Sequence, residues 1–246
     1  METSGISEKI ANNMIDKKVR NNVDNALKYM KQNNINVISV FDDDYPQMLK
    51  EIYAPPICLY IKGNLQLLKM QNISLIGCRK CSQYGKKTAY YFSYNLSKAG
   101  FNIVSGLARG IDSYSHIGCL AAKGKTIAVM GSGLDNIYPK ENEQLVNEII
   151  KQNGAIITQY PLGTKPEKNN FPARNRIISG LSKAVLVIEA RAKSGTLITV
   201  DFALEQGKDV FAVPGNINSA NSVGTNELIK QGAIPVCNYK DILDNI

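Results

Sequence analysis

The sequence predicts an α/β fold, a mainly parallel sheet with helices on both faces, and three observations support it. From Asn72 onward, short apolar runs alternate with amphipathic stretches of helical period. Those runs are apolar on successive residues, as strands covered on both faces require, whereas a half-exposed strand would alternate. Five of the six arginines (Arg79, Arg109, Arg174, Arg176 and Arg191) follow such runs, Arg174 and Arg176 in the loop expected beyond 155–158. Ligands of open α/β sheets bind outside the carboxyl ends of the strands, so the third observation links the fold to a site.

Taken in order, residues 1–40 read as a short helical N-terminal segment. Ile10, Met14, Val23, Leu27 and Met30 recur at helical spacing among many Asn and Lys, too few to form a core of their own. Val37–Val40 and Ile57–Ile61 are strand-like and are separated by a Tyr45-Pro46 turn and by Pro55-Pro56. The main domain is expected over 41–246. Its strands are drawn at 72–76, 101–104, 125–130, 155–158, 184–189, 209–213 and 233–236. Helices fill the gaps, for example 142–152, where Leu145, Val146, Ile149 and Ile150 share a face. This alternation defines an extended Rossmann-like domain.

The chain has 246 residues, 44% hydrophobic and 20% charged, an ordinary balance for a globular protein. A net charge of +8 favours an anionic partner, although Lys86, Lys87, Lys98 and Lys151 fit solvated helix faces equally well. Every apolar run is shorter than the roughly 18 residues of a membrane span, and Met1-Glu2-Thr3-Ser4 lacks a signal layout. A cytoplasmic protein without membrane insertion is expected, with its five cysteines reduced. Cys78 and Cys81 form a C-x-x-C, but a zinc site would want a second pair, so neither metal nor cofactor is expected.

Four Gly-bearing junctions follow the strands: Gly77-Cys78-Arg79; Gly106 to Asp112, with Arg109 and Gly110 inside it; Gly131-Ser132-Gly133; and Ser194-Gly195-Thr196 after Arg191 and Lys193. Helix N-termini offer free N–H groups and partial positive charge. Arg grips phosphate in a planar fork where Lys acts as a point charge. Together the four junctions predict one anion-binding cleft. Two apparent motifs fail on spacing: the stretch ending Gly124-Lys125-Thr126 has five residues between its glycines where a P-loop has four, and Asn136 stands where a dinucleotide fingerprint needs its third Gly. His116 could pack or could bond Asp112 at i, i+4. Glu189 could act as a base or could orient Arg191 or Lys193. No nucleophile–base–orienter set is legible, so catalytic residues are not expected.

Ser105-Gly106-Leu107-Ala108-Arg109-Gly110-Ile111-Asp112 with His116 resembles a signature block of the bacterial DNA-processing protein A (DprA/Smf) family. Tyr138-Pro139, Phe171 to Ser182, Val187 to Ala190, Ser194 to Thr199, Val213-Pro214-Gly215 and Gly224 to Ile229 agree in the same order. The resemblance implies a non-enzymatic, homodimeric protein of natural transformation. Such a protein binds and protects incoming single-stranded DNA, relieves the block by single-strand-binding protein and loads the RecA recombinase. It implies DNA contacts at Gly77, Arg79, Gly106, Arg109, Gly110, Arg174, Asn175 and Arg176, with Lys193, Ser194, Gly195 and Thr196 added; Gly131 joins the expected contacts through its Gly-rich junction alone. Bases could stack on Tyr84, Tyr114 or Phe171, the last equally readable as core. Cys78 departs from the family's usual Ser or Thr, and the family's C-terminal winged-helix domain is not expected. A competing resemblance is to nucleoside-monophosphate-hydrolysing enzymes of the cytokinin-activating type, with Glu189 and Arg191 at work.

Overall fold

The computed structural model describes residues 17–246, and Ile10 and Met14 lie outside that range. The chain divides into two compact units, residues 1–36 and 37–246. Of the first unit, residues 17–36 are described: helix α1 (Lys17–Gln32), on which Val23 and Leu27 are exposed, and the residues up to Asn36, within which the first strand of the sheet begins.

The second unit is built on a sheet. Its strands are β1 (Ile35–Ser39), β2 (Cys58–Gly63), β3 (Asn72–Ile76), β4 (Asn102–Ser105), β5 (Thr126–Val129), β6 (Ala155–Thr158), β7 (Ala184–Val187), β8 (Asp209–Ala212) and β9 (Ile234–Pro235). The spatial order is β1-β2-β6-β5-β4-β3-β7-β8-β9. From β6 to β9 across the sheet the pairings are parallel, while β2 meets β6 antiparallel. Beginning at β3, the chain adds β4, β5 and β6 on one side, then crosses to add β7, β8 and β9 on the other. The order therefore reverses between β3 and β7, and the carboxyl ends of those two strands frame the crevice typical of such sheets.

Alternate residues of each strand enter opposite cores. Val185 and Val187 of β7 belong to one core, with Ile177 and Ile178 of α6 (Asn170–Gly180), Val200 and Ala203 of α7 (Gly195–Glu205) and Leu228 of α8 (Val223–Lys230). Ala184 and Leu186 belong to the other, with Phe92 and Leu96 of α3 (Gln83–Lys98), Ile111 and Cys119 of α4 (Ile111–Ala121) and Ile242 of α9 (Lys240–Leu243). Burial on both faces explains the unbroken apolar runs, each fully covered side chain contributing about 1.5–3 kcal/mol. The remaining helices are α2 (Gln47–Lys50) and α5 (Glu143–Lys151).

Two expectations need correction. The Gly131 turn does not open a helix: after β5 the chain runs through a cis Tyr138–Pro139 bond and a short 3-10 turn before α5 begins at Glu143. Arg174 and Arg176 lie on helix α6 and not in a loop. Pro172 sits in the first turn of α6, where an amide donor would have no intrahelical partner, so the helix accommodates it.

Candidate functional site

At the β3/β7 crevice lies a cleft of about 660 Å³, lined by Gly77, Cys78, Arg79 and Lys80 after β3, and by Arg191, Lys193, Ser194, Gly195 and Thr196 after β7. Helix α6 and the loop before it add Lys168, Phe171, Arg174 and Asn175, and Tyr138 closes one side. Six of the lining residues are basic and one, Asp112, is acidic. A smaller adjoining hollow carries the lining on to Gly106 and Arg109.

Arg79 lies with its guanidinium carbon 5.3 Å from the centroid of the Phe171 ring, and Tyr138 packs against the same ring with centroids 5.6 Å apart. Phe171 is therefore a cleft aromatic with half-buried edges, the role that its sequence left undecided. Gly131 makes room for it: a Cβ there would lie 2.9 Å from the ring.

Arg174 has a different role. It is 3% exposed, and one of its guanidinium nitrogens donates to the carbonyls of Gly106 (2.6 Å) and Val129. Next to it, Asp112 accepts from the backbone N–H groups of Gly106 (3.1 Å) and Ala108 (3.3 Å). Burial pushes the Asp112 carboxyl up, and the guanidinium and these donors pull it back. Burial also draws Arg174 down to about 10, still charged at neutral pH. The pair ties β5, the Gly106 turn and α6 into one floor, and a Cβ at Gly106 would press on both side chains at 2.7–2.8 Å.

Of the thirteen sequence-predicted residues, Gly77, Arg79, Arg174, Asn175, Lys193, Ser194, Gly195 and Thr196 line the cleft, and Gly106 and Arg109 line the adjoining hollow. Gly110 and Gly131 lie behind the surface as spacers. A Cβ on Gly110 would drive into the carbonyl oxygens of Cys78 and Arg79, and one on Gly77 would lie 2.6 Å from Ile111. Gly195 has open space around its missing Cβ and begins α7, where Ser194 caps the helix by accepting from Thr196 N–H. Arg176 must be corrected: its guanidinium donates to Ala54 O, Ala173 O and Gln159 Oε1, and it does not line the cleft. Two helical positions apart means a rotation of about 200°, so Arg174 and Arg176 cannot face the same side. Arg109 is exposed and paired with Glu141 at 2.5 Å.

Glu189 is committed elsewhere. It accepts from Ser82 N–H (2.9 Å), Ser82 Oγ (2.5 Å) and Asn221 Nδ2 (3.3 Å), fastening the start of α3, and it neither lines the cleft nor touches Arg191 or Lys193. Arg191 Nε donates instead to Asn221 Oδ1 at 2.9 Å. His116 makes no bond to Asp112. Thr126 Oγ1 donates to Ile103 O, so His116 Nδ1–H donates to Thr126 at 2.7 Å, and its Nε2 is buried without a partner among the described residues. Burial raises the thiols of Cys78 and Cys81, and the described residues hold no group of three His, Cys, Asp or Glu suited to a metal. Lys168 and Tyr138 were missed as cleft residues. Lys168 precedes α6 in a stretch without periodicity, while Tyr138 stood in the quoted Tyr138-Pro139 signature and signalled the site only there.

Fold and site together define a Rossmann-like protein whose cleft presents cations over an aromatic floor. Residues 36–246 match the model of the DNA recombination-mediator protein A family, and the chain belongs to that family. It is 41% identical over 227 residues to Protein Smf of Escherichia coli, a match covering 92% of this chain and 61% of that one. The crystal structure of DNA processing protein A from Streptococcus pneumoniae superposes with a TM-score of 0.84 at 40% identity, covering 97% of this chain and 86% of that one. DNA processing protein A from Helicobacter pylori, solved for insight into its single-stranded DNA binding mode, gives 0.77 at 31% identity, covering 85% and 94%.

Proposed function

We propose that this chain binds single-stranded DNA in the β3/β7 cleft, as part of DNA processing during natural transformation. The observation that carries the reading is Arg79 over Phe171 within a lining of six basic residues, whose one carboxylate is held by backbone donors. Unpaired strands are bound in this way, with phosphates on cations and bases on aromatic planes. The Helicobacter relative supports it through its named ligand. Assignment of 41–246 as the DNA-binding domain, cytoplasmic location, homodimer formation, relief of single-strand-binding protein and RecA loading belong to the same proposal by family resemblance. No step in it requires covalent chemistry. The nucleoside-hydrolase alternative depends on Glu189, which is fastened to Ser82 outside the cleft.

The test is fluorescence anisotropy with labelled oligo-dT of about 30 nucleotides across a salt series. Affinity is expected to fall steeply with salt, and Arg79→Ala and Lys168→Ala should each lower the log–log slope by about 0.7. Failure of the wild type to bind at low salt, or indifference to both substitutions, overturns the reading.

A further inference from the structure

We infer that helix α3 carries a second strand-binding surface, a stacking ridge for single-stranded nucleic acid emerging from the cleft; the inference rests on the cleft reading above. The helix contains four of the chain's 12 tyrosines, three lysines and no acidic residue. Lys86, Tyr90, Tyr94 and Lys98 recur at intervals of four, which aligns them as one stripe. The rings of Tyr90 and Tyr94 stack with centroids 6.1 Å apart and planes 15° from parallel. Lys98 Nζ lies 5.8 Å from the Tyr94 ring, and Lys86 Nζ lies 5.5 Å from the ring of Tyr114 on α4. Gly118 brings α4 against the backbone of Tyr90, so Tyr114 joins the same surface.

Lys paired with Glu four residues away stabilises a solvated helix face, and this face has no such pair. Here the cations sit over aromatic faces, and neither Lys86 nor Lys98 is in an ion pair among the described residues. Positive charge without carboxylates selects a polyanion, and the exposed Tyr90 ring beside the half-buried rings of Tyr94 and Tyr114 favours unpaired bases over a closed duplex. The ridge is also placed to receive the strand. The helix opens at Ser82, in the same loop as Arg79 and Lys80 of the cleft. From Lys86 to Lys98 it runs about 18 Å, room for about five nucleotides at the stacked spacing of roughly 3.4 Å.

The chain has no Trp, so Tyr90→Trp places a single indole on the ridge. Labelled dT oligomers of about 8 and about 30 nucleotides should both bind, and the long one alone should quench the indole. The double variant Lys86→Ala/Lys98→Ala, with its circular dichroism checked against wild type, should keep its affinity for the short oligomer. It should bind the long one about tenfold more weakly, with a salt slope lower by about 1.4. Unchanged affinity for the long oligomer, equal weakening of both, or absence of quenching overturns the ridge. So does a change of oligomeric state in sedimentation of the double variant, which would assign the surface to a second copy of the chain. Loss of short-oligomer binding by the wild type would instead overturn the cleft and leave the quenching to judge the ridge.

Discussion

The guanidinium of Arg79 and the ring of Phe171 face each other at 5.3 Å, although 92 residues separate them in the chain. One comes from the loop after β3 and the other from the first turn of α6, so the contact exists only when the sheet has reversed its strand order. A cation held over an aromatic plane is a composite binding element: the phosphate meets the charge and the base meets the ring. Phe171→Ala should weaken binding of oligo-dT by about 1–3 kcal/mol, the stacking contribution of one base, while Phe171→Tyr should stay near wild type. Equal losses for the two variants in anisotropy titrations would show that the ring is packing and not a platform.

Arg174 and Arg79 look alike in the sequence but should behave differently in unfolding experiments. Arg174 is buried beside Asp112 and holds the carbonyls of Gly106 and Val129. Replacing it leaves a buried carboxylate without its countercharge, which costs about 3–5 kcal/mol in comparable sites. Urea denaturation of Arg174→Met should show a loss of that size, whereas Arg79→Ala should unfold near the wild-type midpoint. Similar midpoints for both variants would mean that Arg174 is a surface ligand after all.

The contrast between these two arginines shows what the sequence could reveal. Apolar runs of four to six residues located the central strands, because burial on both sheet faces leaves no polar alternation to blur them. The strand-end clustering of Arg79, Arg109 and Arg191 located the rim. Whether a given arginine points into solvent or into the floor depends on helical phase and on partners distant in the chain. Arg174 and Arg176, two residues apart, therefore read as equivalents and fold as opposites. The glycines carry a second role that the sequence did not show. Gly77, Gly106, Gly110 and Gly131 were read as places where backbone approaches a ligand; Gly77 and Gly106 do line the cleft and its hollow, and each of the four also leaves room for another part of the protein. Lys168 gave no signal, since only folding brings its irregular loop to the cleft.

Acid stability should carry the signature of His116. Burial, with Arg174 nearby, lowers its pKa from 6.5 to about 3. The unfolded chain therefore takes up this proton first, and the histidine's contribution is complete above pH 6.5 and lost as pH falls toward 3. Each unit in that window removes up to about 1.4 kcal/mol. Asp112 acts in the opposite sense, because its raised pKa makes the folded state the better proton acceptor. Subtracting the stability curve of His116→Asn, which retains an N–H donor toward Thr126, cancels the aspartate and isolates the histidine. The difference should be flat above pH 6.5 and slope below it; a flat difference throughout would place the imidazole in contact with water.

Glu141 should act as a competitor for the strand. Its carboxylate holds Arg109 at 2.5 Å on an open surface, where the pair adds little to stability. An incoming phosphate has to displace it. Glu141→Gln should leave the thermal midpoint unchanged and tighten oligo-dT binding a few-fold at low salt, with the gain fading as salt screens the freed guanidinium. Weaker binding by this variant would mean that the ion pair positions Arg109 for the strand.

Gly110 provides the strictest test of the cleft, because it touches no ligand in the proposed arrangement. Its backbone sits at φ +77° and ψ −129°, a region essentially closed to other residues, and its Cα faces the carbonyl oxygens of Cys78 and Arg79. The same segment donates Ile111 N–H to Cys78 O at 3.2 Å, locking the Arg79 loop to the start of α4. Gly110→Ala has to push that loop away, and Arg79 would move off Phe171 with it. Binding of oligo-dT should fall about as far as in Arg79→Ala, and the double variant Gly110→Ala/Arg79→Ala should be no worse than either alone. Additive losses in that cycle would mean that the glycine contacts DNA in its own right, since sites acting through one shared element do not add.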